Sequence, residues 1–185
     1  MNYLAAELTR YQDKSQKILY GTEAELRGIE PYFKINEAES LLATDYFAEM
    51  VAQARIIFQH QPDISIEQVN CHGTQYADGS FDTVLMANLI HVIDEPLRAL
   101  QEAHRLLKKN GALLLTCFTT EKMPVWRKLH LLYRYCRAFG PFPQERTPFT
   151  STTLGDMVTE AGFDVQETCL LGTATKSIFL KALKI

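Results

Sequence analysis

The chain predicts an α/β fold: a Rossmann-like, mostly parallel sheet with helices on both faces and a C-terminal antiparallel hairpin. Three observations lead there. Short apolar runs alternate with stretches of helical period between Ser40 and Thr120, the pattern of strand–helix–strand crossovers. The closing segment has two apolar runs with no helix between them, so the second must return antiparallel. The 185 residues, 46% hydrophobic and 22% charged, fit a single domain, 1–185, large enough to bury a core without staples.

Residues 2–16 set Leu4, Leu8 and Tyr11 at helical spacing and predict a short amphipathic helix. Lys17–Tyr20 is a brief apolar run before Gly21, a candidate strand, and Glu23–Arg27 could form a helical turn before Pro31. Ser40–Thr44 reads as a short buried strand ending at Asp45. From Tyr46 to Gln61 the period becomes 3.6, with Phe47, Met50, Val51, Ala54, Ile57 and Phe58 on one face and Pro62 as the stop. Ile64–Val69 alternates as a strand, Asp78-Gly79 marks a turn, and Phe81–Leu89 is a second apolar strand.

Glu95–Lys108 predicts a helix with Pro96 in its first turn, ended by Lys108, Lys109, Asn110 and the helix-stopping Gly111. Ala112–Phe118 is a fully buried strand. Residues 123–148 break the rhythm with Pro141, Pro143 and Pro148 and a basic aromatic helix, WRKLHLLYRYCRAF. This insert reads either as a surface helix packed by Leu129, Leu132 and Tyr133 or as a contact for an acidic partner or nucleic acid. A helix over Thr150–Ala161, capped by Ser151 or Thr152, then leads to strands Asp164–Leu171 and Ser177–Leu183.

Composition narrows the function. A formal charge of −3 lacks the basic footprint of a dedicated nucleic-acid binder. Cys71, Cys117, Cys136 and Cys169 never stand at CxxC spacing, so no zinc knuckle, redox dithiol or other metal site is predicted. Scattered cysteines point to a reduced, cytoplasmic setting. Met1–Gln16 has no apolar core of a signal peptide, and no apolar window is long enough to span a membrane.

In open α/β sheets ligands sit beyond the C-terminal ends of the strands. Asp45 is there, able to accept from the two hydroxyls of a ribose or to cap the following helix. Asn70 could meet an adenine edge or make a turn. Asn88 and His91 could line a ligand or satisfy loop backbone.

Several segments resemble the class I S-adenosylmethionine-dependent methyltransferases of the small-molecule type. LLATDYFAEMVAQAR resembles that family's second strand and following helix. QVNCHGTQYADGSFDTVLMANLIHVID resembles its third and fourth strands around a DGSFD turn, and EPLRALQEAHRLLKKNGALLLT its next helix, turn and fifth strand. TSTTLGDMVTEAGFDVQE resembles the entry to its closing hairpin. The resemblance covers about residues 40–185. It implies S-adenosylmethionine as cofactor, Asp45 on the ribose, Tyr46 or Phe47 against the adenine face, Asn70 and the Cys71 amide at the adenine edge, and Asn88 and Leu89 near the methionine part. The chain departs from the family at the glycine-rich loop: KILYGTEAEL keeps Gly21, but no two glycines stand as GxG. Glycine matters there because a Cβ would collide with the ligand. The expectation is a cofactor held better by its adenosine half than by its methionine half.

The resemblance implies methyl transfer to a small-molecule acceptor, with His91 as base where a proton must leave. His72, His130 and Glu121 are reserves, and His104 is expected to be structural. The resemblance also makes the insert at 123–148 a candidate lid over the substrate pocket, with Trp126, His130 and Tyr133 as the expected substrate wall. A catalytically inactive, methyltransferase-like binding or scaffold subunit is the competing reading. No nucleic-acid or membrane partner is expected, and a homodimer or protein partner is left open.

Overall fold

In chain order the elements are β1 (Lys17–Leu19), β2 (Leu41–Asp45), α1 (Ala48–Ile57), β3 (Ile64–Gln68), β4 (Phe81–Ala87), α2 (Pro96–Leu106), β5 (Leu107–Thr119), α3 (Val125–Phe139), α4 (Ser151–Glu160), β6 (Phe163–Leu171) and β7 (Lys176–Lys184). The computed structural model describes residues 17–19, 40–62, 64–139, 149–171 and 176–185. The expected N-terminal helix, Gly21 and the stretch from Glu23 to Pro31 lie outside the described residues.

The strands form one sheet in the order β3-β2-β1-β4-β5-β7-β6. From β3 to β5 each pair is parallel, while β7 runs antiparallel to both β5 and β6. The mostly parallel sheet and the closing hairpin are as the sequence predicts.

The apolar runs are continuous because these strands are buried on both faces. Val84 and Met86, Leu113, Leu115 and Cys117, and Ile178, Leu180 and Ala182 pack on one face against Ala99, Leu100 and Ala103 of α2 and Leu154 and Val158 of α4. The alternate residues Leu85, Ala87, Leu114 and Phe179 pack on the other face with Ala54 and Phe58 of α1. The two-residue period of a strand sorts one run into two cores. Each fully buried large side chain contributes about 1.5–3 kcal/mol.

Several boundaries differ from the sequence expectation. α1 ends near Phe58, short of Pro62, and a turn closed by the Gln61 amide on the Phe58 carbonyl follows. β4 stops at Ala87 because Asn88 takes a left-handed φ of 54°. α2 ends at Leu106, and extended Leu107 already pairs with Phe81. The left-handed residue of this turn is Asn110 (φ 63°), not Gly111. Gly111 serves close approach instead: a Cβ there would stand 2.8 Å from the Lys108 carbonyl oxygen and 3.1 Å from that of Asp82. The cap of α4 is Thr150, not Ser151 or Thr152. Its hydroxyl accepts from the Thr153 amide (3.2 Å), and its own amide donates to the Thr153 hydroxyl (2.9 Å), a reciprocal capping box.

The connection from β3 to β4 is held from α2. Glu102 accepts from the amide (2.8 Å) and hydroxyl (2.7 Å) of Thr74. Arg105 donates to both Glu102 oxygens, at 2.9 and 2.7 Å, and to the Tyr76 carbonyl at 2.8 Å. The same guanidinium pairs with Asp78. One ion pair on a buried helix thus fixes the loop that begins at Asn70.

Gly111→Ala is expected to destabilise by about 1–3 kcal/mol, the cost of overpacking against fixed backbone. Gly155→Ala, inside α4 with open space around it, should instead be neutral or stabilise by up to about 1 kcal/mol. Urea denaturation of both variants tests the contrast.

Glu102 is held down to about 2 from 4.5, first by its bonds to Arg105. A depressed carboxyl lends stability that is complete above the ordinary carboxylate range and is lost as pH falls from about 4.5 toward 2. Glu102→Gln should therefore cost about 1–3 kcal/mol at neutral pH. The gap to the parent chain should narrow on acidification, as read by denaturation at a series of pH values.

Candidate functional site

β2, β3, β4 and β5 run parallel, so Asp45, Gln68, Ala87 and Thr119 end at one edge of the sheet. The strand order turns about β1, with β2 on one side and β4 on the other. That reversal opens a crevice between the loops leaving neighbouring strands.

Asp45 sits at the crevice end of β2, half-buried, and its Oδ1 accepts from the Phe47 amide at 2.8 Å. Oδ2 accepts no hydrogen bond among the described residues. The carboxylate is oriented by the turn but is not the cap of α1, whose N-cap is Phe47 without a side-chain bond. The Asp45 carbonyl accepts from the Val69 amide, and the Gln68 side chain donates through Nε2 to the Tyr46 carbonyl at 2.9 Å. These bonds tie the ends of β2 and β3 together. Tyr46 and Phe47 are each 62% exposed and meet edge to face at 5.5 Å, an aromatic pair presented to solvent.

Asn70 Oδ1 accepts from the His72 amide at 2.9 Å and stands 3.1 Å from His72 Nδ1. The side chain thus makes the turn considered for it, with its oxygen directed at His72. His72 Nε2 is buried with no hydrogen-bond partner among the described residues. Cys71 is half-buried, and burial pushes its thiol up, which keeps it protonated and poorly nucleophilic.

On the far side of the switch point, Asn88 donates its amide to the Thr116 carbonyl at 2.8 Å. Leu89 packs on the main core and Ile90 is buried. His91 follows, half-buried, with Nδ1 3.8 Å from the Cys117 sulfur and its ring 6.2 Å from that of Phe118. The imidazole therefore stands where β4 and β5 both end.

The reserve residues separate. Glu121 Oε2 accepts from the amide (2.6 Å) and hydroxyl (2.7 Å) of Ser151, and these bonds lower its pKa. It anchors the start of α4 and is committed as a carboxylate. It borders an open recess of about 400 Å³ with Thr152, Thr168 and Cys169. His104 lies edge-on to Phe163 at 5.0 Å, below Gly162.

Trp126, His130 and Tyr133 all lie exposed on α3, with the Arg127 guanidinium over the indole at 5.0 Å. Leu129 (61%), Leu132 (43%) and Tyr133 (62%) are exposed as well. They do not pack the helix down, as the surface-helix reading required; half-buried Arg127 and Leu131 face the protein.

Sequence reasoning missed Glu102 and Arg105, which hold the loop after β3 at Thr74, Tyr76 and Asp78. Their spacing of three on one helix was visible, but not the loop they reach. Among the described residues there is no His/Cys/Asp/Glu cluster suited to a metal, and no helix is long and apolar enough to cross a membrane. The four cysteines are free.

Comparison with known proteins agrees with this fold. The methyltransferase-domain family model matches residues 21–115, half of the chain. A ubiquinone/menaquinone biosynthesis C-methyltransferase from Geobacter sp. (strain M21) is 29% identical over 97 residues, 51% of this chain and 41% of the relative. The match thus spans about two fifths of that relative's length. A SAM-dependent methyltransferase from Methanosarcina mazei superposes with a TM-score of 0.69 over 96% of both chains at 18% identity. One from Aquifex aeolicus gives 0.65 over 100% of this chain and 91% of that one at 15% identity. With its strand order, its closing hairpin and that match, the chain belongs to the methyltransferase-domain family, in its class I S-adenosylmethionine-dependent form.

Proposed function

We propose that this chain transfers a methyl group from S-adenosylmethionine to a small-molecule acceptor. The observation that carries the reading is Asp45: a carboxylate at the end of β2, beside the switch point, with one oxygen fixed by the Phe47 amide. That arrangement suits a ribose, whose paired hydroxyls both donate to one carboxylate. Tyr46 and Phe47 offer exposed ring faces to the adenine. Asn70, its oxygen engaged with His72, would meet the adenine through its amide nitrogen, alongside the backbone amide of Cys71. Asn88 and Leu89 would flank the methionine end.

S-adenosylmethionine, when bound, supplies a methyl group already electrophilic on its sulfonium. The work of the chain is to align the acceptor and exclude water. His91, at the joint end of β4 and β5, takes a proton where the acceptor must lose one. Trp126, His130 and Tyr133 supply the wall for an apolar acceptor. The similarity to the Geobacter ubiquinone/menaquinone biosynthesis C-methyltransferase supports a small acceptor methylated at carbon. The competing reading, a binding subunit without catalysis, is favoured by the missing GxG.

Asp45→Ala is expected to weaken S-adenosylhomocysteine binding roughly 10- to 150-fold, the loss of about 1.5–3 kcal/mol from a charged hydrogen-bond partner. Its melting temperature should barely move. Unchanged affinity in calorimetry with a large fall in melting temperature would assign Asp45 to the fold alone.

A competition series of adenosine, methylthioadenosine and S-adenosylhomocysteine tests the glycine-loop departure. The methionine half should add less than about 100-fold in affinity. A larger gain means that another group has replaced the loop, and no binding by any of the three supports the non-catalytic reading.

A further inference from the structure

α3 carries its apolar face outward. At about 100° per residue, Val125, Trp126, Leu129, Leu132 and Tyr133 fall within one arc of roughly 120°. They are 71, 64, 61, 43 and 62% exposed. Arg127 and Leu131, across the helix, are half-buried. A helix packed on a domain turns its apolar stripe inward; this one turns it to solvent.

The charges on the helix are equally one-sided. Its 15 residues include Arg127, Lys128, Arg134 and Arg137 and no acidic residue, in a chain whose formal charge is −3. Lys128 and Arg137 are exposed and fall on either side of the stripe. An apolar stripe with tryptophan and tyrosine, flanked by cations, is suited to lying in the plane of a bilayer interface. Cations near an anionic surface strengthen such binding. The helix leaves β5 at the same edge as the crevice, where Val92, 44% exposed, also follows β4.

We propose that α3 seats this chain on the surface of an anionic lipid bilayer, with Val125, Trp126, Leu129, Leu132 and Tyr133 entering the interface and Lys128 and Arg137 meeting headgroup phosphates. Charge complementarity selects this occupant: four cations without an anion disfavour a second copy of the same face, which would oppose like charges. The sequence expects no membrane partner because no segment is long enough to span one. A helix lying in the interface needs only its face. The proposal does not rest on methyl transfer, although it shares Trp126 and Tyr133 with the acceptor wall proposed above.

The test uses the full chain with vesicles of phosphatidylcholine alone or mixed with phosphatidylglycerol. Trp126 is the single tryptophan, so its emission reports directly on the stripe. Anionic vesicles should shift that emission to the blue and sediment the protein, while phosphatidylcholine alone should do neither. Leu129→Glu with Leu132→Glu, and separately Lys128→Glu with Arg137→Glu, should each weaken vesicle binding by at least about tenfold. Both pairs are exposed, so circular dichroism should stay unchanged. Three results would overturn the proposal: no shift and no sedimentation with anionic vesicles; binding insensitive to both variants; or, without vesicles, a concentration-dependent dimer that Leu129→Glu abolishes, which would give the stripe to a second copy.

Discussion

The structure depends on burying β4, β5 and β7 on both faces at once. Leu113, Leu115, Ile178 and Leu180 are fully enclosed on one side, and Leu85 and Phe179 on the other. A strand in that position can carry almost no polar side chain without desolvation cost. Polar chemistry is thereby driven to the strand ends. Asp45, Asn88 and His91 stand at one edge because the middle of each strand is closed to them.

α2 links the core to that edge. Ala99, Leu100, Ala103 and Leu106 cover the sheet, while Glu102 and Arg105 on the same helix bind the loop after β3. The energy of apolar burial holds the helix, and the helix holds the loop at Thr74 and Tyr76. Loops that carry function are commonly fixed by rigid elements in this way. Here the fixing residues are an ion pair three residues apart, and their reach sets the course of the loop from Thr74 to Asp78.

α3 obeys a different constraint. It follows the strand that anchors the sheet, yet its large apolar residues lie outside the core rather than in it. Core membership is therefore not assigned by hydrophobicity alone. Leu115 and Leu129 are the same residue type, one enclosed by two layers and one exposed beside the crevice. An exposed stripe of this kind marks a surface that meets something else.

The sequence by itself determined the layered α/β class, the alternation from β2 to β5, the turn at Asp78-Gly79 and the closing hairpin. Each follows from local periodicity or from a residue with one strong backbone preference. Asp45 at a strand end was legible for the same reason. The resemblance to the methyltransferases, carried by DGSFD and its neighbours, supplied the ribose role that spacing left open. The tertiary structure decided what depends on partners distant in sequence. The Cβ space at Gly111 is closed by Lys108 and Asp82, the carboxyl of Glu121 is taken by Ser151 thirty residues on, and Asn70 turns to His72 while Glu102 grips Thr74. The direction in which α3 faces belongs to the same class. Its amphipathic period was plain in the sequence, but period fixes only that a helix has an apolar side, and packing decides which side meets the protein.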